Sequence, residues 1–330
     1  MRAKSRNYSL DLIKVIAMIM VLLLHTGVFS QSYLHTSDMR TVVYAFSGIA
    51  VPLFFMVSGY LMIERRVDMV YVKNKTYRIL KFIFITTTIV LIIYNTVDYV
   101  DNGTFTFRVF GINSYVSWIV QKGYMWHYWY FASMILLYFI TAIVPHKYIF
   151  SSRSVTAFII ISFLIFILNI LYQFESKYLS QSFRLYYWLM FYTLGGGIRK
   201  RKKIIGFIKW GHVLAVSIVY ILFQFWGPNI GGTEYYFGSL LTMVYAVCVF
   251  GACLNTNITE SKVICEMSKL FLPVYSLHVL FFYIFRYIEI RVDINPEYGF
   301  LLLCMIHCFL TILVCWLLMR NNFSKKIFKI

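Results

Sequence analysis

The sequence predicts an all-α protein, a polytopic integral membrane helical bundle of about ten transmembrane helices with both termini cytoplasmic. Three observations carry this. The 330 residues are 60% hydrophobic and 13% charged, where a soluble domain is about 25% charged. Ten apolar runs approach the ~17–25 residues that a spanning helix needs. Lysine and arginine gather in alternate connecting segments, the pattern that orients membrane proteins.

The runs fall near residues 10–30, 41–63, 78–98, 126–145, 154–173, 183–199, 210–227, 234–254, 270–289 and 299–319. The first has a charge inside it and no small-residue cleavage pattern, so it reads as a span rather than a cleavable signal. The second holds Pro52, Ser58 and Gly59, and proline and glycine in a span invite a bend whose freed carbonyl a serine can satisfy. The third follows a basic lead-in. The fourth opens on Trp126-His127-Tyr128-Trp129-Tyr130, an aromatic belt of the kind found at membrane interfaces. The sixth is short and ends in Gly195-Gly196-Gly197, which reads as a bend. The ninth and tenth contain His278 and His307. The runs are too long and too uniformly apolar for the alternating strands of a barrel. With 5 prolines, 17 glycines and no internal repeat, residues 1–330 read as a single membrane domain.

Charge placement tests the count. With the N-terminus inside, the cytoplasmic segments carry 23 of the 31 Lys and Arg, the outer segments carry 7, and Lys14 lies within the first run. One missed helix would invert the bias for everything downstream. The net charge of +18 sits in short clusters between apolar runs, which points to membrane lipids and away from nucleic acid. The outer segments are too short for a folded domain.

The cysteines Cys248, Cys253, Cys265, Cys304, Cys308 and Cys315 form no CxxC pair and read as inert buried thiols. No metal site or bound cofactor is expected, and no P-loop, GxSxG, HExxH or GxGxxG pattern is present.

Ionisable residues inside a span are costly and are functional candidates. Asp11 and Lys14 are three residues apart and can pair. Lys14 and His25 are eleven apart, about three full turns, so they share one stripe about 16 Å apart along the axis. The plainer reading is an interfacial ion pair and a bundle histidine, since polar side chains also join helices. Lys75 and Arg78 lie on one face of the lead-in to the third run and suit anionic phosphates, or serve only as a positive-inside anchor. His35, His146 and His212 fall in loops or at ends and are expected to be solvated. No role is assigned to His307.

Taken in order, these pieces resemble the acyltransferase-3 family of membrane acyltransferases. Ser9-Leu10-Asp11-Leu12-Ile13-Lys14 followed by His25 looks like its opening, an Asp and then a basic residue before a His. Phe54-Phe55-Met56-Val57-Ser58-Gly59 looks like its FFxxSG signature. Lys75 and Arg78-Ile79 resemble its basic third-helix motif, with Lys where Arg is frequent. His127-Tyr128-Trp129-Tyr130-Phe131 resembles its aromatic fourth helix, and Tyr275-Ser276-Leu277-His278 its late Tyr-x-x-His. The likeness spans nearly the whole chain.

The resemblance implies transfer of an acyl group, usually acetyl from acetyl-CoA, to a hydroxyl of a surface polysaccharide or lipid-linked sugar. The short stand-alone members it is most similar to modify O-antigen or capsule in the bacterial inner membrane. It implies catalytic roles for His25, Lys14 and Asp11, with His25 as general base or as an acetyl-imidazole carrier. Lys75 and Arg78 would hold the donor phosphates. Ser58, His127 and His278 would line the substrate site, with His278 or Ser58 donating to the oxyanion. A lipid-linked sugar flippase or transporter, and an O-antigen polymerase, are the other readings. The first more often shows inverted repeats, and the second a large outer loop. Neither feature is seen here.

Overall fold

The computed structural model describes residues 6–29, 38–103, 105–173, 179–226, 236–292 and 300–328. Arg2, Lys4, His35, Lys177 and Lys329 lie outside these, as do a few residues at the edges of the predicted runs. Among the described residues all regular structure is helical.

Each apolar run lies on helix. The first is α1 (Tyr8–Phe29). The second is a broken pair, α2 (Asp38–Ser47) and α3 (Ala50–Met62). The third lies within the long α4 (Met69–Asn102), capped at its start by the Asp68 side chain. A short 3-10 turn, Trp126–Tyr128, leads into α5 (Trp129–Ile143). Then come α6 (Ser152–Tyr172), α7 (Leu185–Lys200), α8 (Trp210–Trp226) and α9 (Leu240–Asn255). The short α10 (Lys262–Lys269) meets α11 (Phe271–Val292), and α12 (Phe300–Leu318) and α13 (Asn322–Ile327) close the chain.

Length separates these helices into two groups. Five segments are long and apolar enough to cross a membrane: α1, the α2–α3 pair, α4, the Trp126–Ile143 segment and α6. A sixth arises if α10 and α11, which meet at 57°, form one bent span. By contrast α7 and α9, whose ends both lie among the described residues, have 16 residues each. At ~1.5 Å per residue they fall short of a ~30 Å hydrocarbon core. The all-α membrane bundle therefore stands, and among the described residues five or six of the ten predicted runs are long enough to span.

The alternation required by the charge pattern is visible in the packing. Segments expected on one side meet at one end. Arg199 pairs with Glu64, the His146 ring lies 3.2 Å from the Ile63 carbonyl, Arg201 donates to Ser152 at 2.5 Å, Asn255 donates to Ile205 O at 2.6 Å and Arg6 donates to Ser268 at 3.0 Å. His146, expected to be solvated, is instead half-buried and holds this basic end together. Within the bundle, Ser133 donates to Ser182 O at 3.0 Å and Tyr245 to Phe46 O at 3.2 Å, joining α5 to the lead-in of α7 and α9 to α2.

Helix α7 continues unbroken through Gly195-Gly196-Gly197, where the sequence suggests a bend. These glycines serve close approach. A Cβ on Gly195 would overlap the Met56 backbone, and one on Gly59 would overlap the Tyr192 carbonyl. Between two apolar helices in lipid, small residues are what let backbones touch. The break in the second run lies at Gly48-Ile49, upstream of Pro52. Pro52 falls in the first turn of α3, where a missing N–H costs little.

Helix α1 is central and packs against α2, α3, α9, α10, α11 and α12. At the periphery, only 17% of the apolar window of α6 is buried, against 67% for α2–α3. The rest of α6 is a face for lipid tails.

Candidate functional site

Three distant segments bring their histidines together at the end of the bundle opposite the basic loops. His25 lies near the far end of α1, His127 in the turn before α5, and His278 in α11. The His25 and His278 ring centroids are 4.9 Å apart, and those of His127 and His278 are 5.0 Å apart. Trp126 stands edge-on to His25 at 5.2 Å. His127 and His278 are buried, and His25 is partly open.

The hydrogen bonding of the cluster is incomplete in an informative way. His278 Nδ1 lies 2.8 Å from the Tyr275 carbonyl and 3.2 Å from the Val274 carbonyl. Carbonyls only accept, so Nδ1 carries the hydrogen and Nε2 of the neutral ring keeps its lone pair. The Tyr275 hydroxyl donates to the His127 carbonyl and fixes the turn that carries it. Buried ring nitrogens without a close protein partner then remain on all three rings: His25 Nδ1, His278 Nε2, and His127, whose ring has only a loose contact with the Ser276 backbone. Native interiors satisfy nearly all buried polar atoms, so such a concentration needs a functional or ligand explanation. Because Nε2 of neutral His278 accepts, the oxyanion-donor role does not suit that form. Ser58 is not joined to the cluster directly. It is half-buried and hydrogen-bonds Tyr130 rather than a freed backbone carbonyl, and Tyr130 packs 5.8 Å from the Tyr275 ring.

At the basic end lies a cavity of about 1080 Å³ lined by Arg6, Asp11, Lys14, Glu64, Arg65, Arg66 and Arg199. Its two carboxylates are engaged. Glu64 pairs with Arg199. Asp11 accepts from Arg6 Nε at 2.5 Å and from Lys14 Nζ at 3.3 Å. The hydrogen bond to Asp11 raises the Arg6 pKa above its ordinary value. Five cations against two carboxylates leave the cavity strongly positive. Arg65 is held by the Tyr71 hydroxyl at 3.1 Å, and Arg199 lies over the Tyr60 ring at 4.7 Å.

The structure divides the basic residues that the sequence groups together. Lys14 lines this cavity, whereas Arg78 lines a separate groove of about 490 Å³ with Lys81 and Lys326. Lys75 lies between them, within electrostatic reach of both Arg65 and Arg78. Arg6, Arg65, Arg66 and Arg199 are missed by the sequence reading. They lie in loops or at a helix end, where no helical period marks them. Arg6 displaces Lys14 as the closer partner of Asp11 and also reaches Ser268, so Asp11 anchors the start of α1 to α10. Asp11→Asn is expected to lower stability by about 1 kcal/mol, a charge-assisted bond discounted for the part-exposed cations. Thermal unfolding in detergent, with faster amide exchange in 262–270, checks this.

His307 stacks on Phe285 at 4.9 Å. Among the described residues, no group of His, Cys, Asp or Glu converges as metal ligands do.

Comparison with curated proteins and with solved structures gives no match. An acyltransferase-3 family model, described as an acyltransferase domain, matches residues 7–320 and so takes in all three clustered histidines and the basic cavity except Arg6. The chain belongs to the acyltransferase-3 family of membrane acyltransferases.

Proposed function

We propose that this acyltransferase is an O-acetyltransferase of the bacterial cytoplasmic (inner) membrane. It takes acetyl from acetyl-CoA and esterifies a hydroxyl of a surface polysaccharide or its lipid-linked precursor, such as O-antigen or capsule. The observation that carries the reading is the set of buried ring nitrogens in the three-histidine cluster that lack a close protein partner, at the far end of the α1 stripe from Lys14. Proton transfer needs lone pairs held near a reacting hydroxyl, and that is what the cluster offers.

The anionic donor suits the positive cavity around Lys14, Arg6, Arg65 and Arg66, with Lys75 and Arg78 extending that field. The ~16 Å between Lys14 and His25 is a span that an extended pantetheine arm can bridge. His25 takes the proton of the acceptor hydroxyl as its oxygen attacks the thioester carbonyl. The tetrahedral intermediate collapses, the carbon–sulfur bond breaks, and the CoA thiolate leaves and recovers the proton. The His278 Nε2 lone pair steadies the charged form of His25. Asp11 acts on position, by tying Lys14 and Arg6 to the cavity wall.

The test compares surface glycan from strains with and without the gene. Loss of an alkali-labile ester with unchanged chain length is the expected result. Loss of long chains would point to a polymerase, and loss of all surface glycan to a flippase.

A further inference from the structure

We propose that the groove between α6 and α7 at the basic end is a binding site for one anionic phospholipid of the leaflet that faces the basic loops. The proposal rests on the membrane reading alone and not on acyl transfer.

The groove has a volume of about 470 Å³. Val155, Leu194, Ile198 and Ile204 supply apolar walls, and Lys200 and Arg201 lie at its rim. Its depth comes from Gly197, whose missing side chain faces only Val155 across the gap. The two cations are not neutralised. Arg201 donates to the Ser152 hydroxyl at 2.5 Å, and Lys200 lies 3.4 Å from the Phe150 carbonyl. Among the described residues neither is paired with a carboxylate, unlike the neighbouring Arg199, which holds Glu64. The first turn of α6 opens onto the same rim through Ser152, and a helix start adds positive potential.

An apolar slot with unneutralised cations at its mouth matches a phosphate headgroup above an acyl chain. Basic pockets between membrane helices bind anionic lipids on this principle. The acyl acceptor is a poorer fit. Trp188 of α7 stacks on Trp129, just after the His127 turn, and Arg201 lies thirteen residues further along, about 20 Å away. The donor is also a poorer fit, because the groove and the Lys14 cavity share no lining residue.

The experiment uses the full chain reconstituted with mixed phosphatidylglycerol and phosphatidylethanolamine, followed by native mass spectrometry of retained lipid. Two cations near a surface predict that phosphatidylglycerol is enriched by about 30-fold. The double variant Lys200→Gln/Arg201→Gln should lose that enrichment. Gly197→Leu should lose it as well, by filling the slot without touching either charge. A measurement on the unaltered protein stands beside these: Lys200 should resist amine-reactive labelling in phosphatidylglycerol nanodiscs and react in phosphatidylcholine nanodiscs. Unchanged enrichment in both variants would overturn the proposal. So would displacement of the lipid by free acetyl-CoA, which would make the groove a donor pocket, or equal labelling in the two nanodiscs.

Discussion

Replacing His25 by alanine is expected to lower acetyl transfer by about 10²–10⁴-fold, the range for loss of a general acid–base group, while the protein still inserts and melts normally. His25 lies near the end of α1 and is partly open, so its removal leaves little cavity. The effect should fall on kcat more than on the KM for acetyl-CoA, because the donor charges lie ~16 Å away along α1. His278→Gln is the sharper companion. Glutamine fills similar space but cannot present a basic imidazole lone pair, so transfer should fall about 10²-fold with the fold intact. The assay is formation of a labelled ester on purified glycan acceptor in nanodiscs. Full activity in His25→Ala would sink the proposed mechanism. Hydrolysis of acetyl-CoA without acceptor, lost together with transfer, would favour the acetyl-imidazole route over direct attack.

The second large effect is structural. Gly195→Val is expected to destabilise the bundle by about 3 kcal/mol or more, at or above the usual range for overpacking. Most overpacked sites relax by moving a flexible side chain. Here the added Cβ would meet the Met56 backbone, so α3 and α7 must separate along their whole contact. That contact joins the Ser58 helix to Trp188, which stacks on Phe55 at 4.7 Å. Gly197→Val is the control. One turn or less away on the same helix, its nearest neighbour would be Val155 at 3.7 Å, so it should melt close to the unaltered protein. Thermal melting followed by gel filtration in detergent checks both. Equal melting of the two variants would remove close packing as the reason for Gly195.

The glycine pair shows where sequence and structure part company. Glycine in an apolar helix is compatible with a bend or with a close approach, and local sequence does not separate the two. The partner decides, and Met56 and Tyr192 come from chain segments far apart in sequence. The shortness of α7 and α9 has a related cause. Apolar composition extends beyond the helix ends, so hydropathy overcounts the helical length available to span.

The sequence by itself determined the all-helical membrane class, the alternation of the connecting segments and the stripe joining Lys14 to His25. These follow from apolar composition, charge bias and helical period, all of which are properties of neighbouring residues. Only the tertiary structure decided that His127 and His278 join His25, that Arg6 takes the closer place on Asp11, and that Arg78 lies in a groove apart from Lys14. Each of these depends on which helices pack together, and no local period records that. The bundle that opens as a list of apolar runs thus ends with two distinct places: a positive cavity at one end, and a cluster of unsatisfied imidazoles at the other.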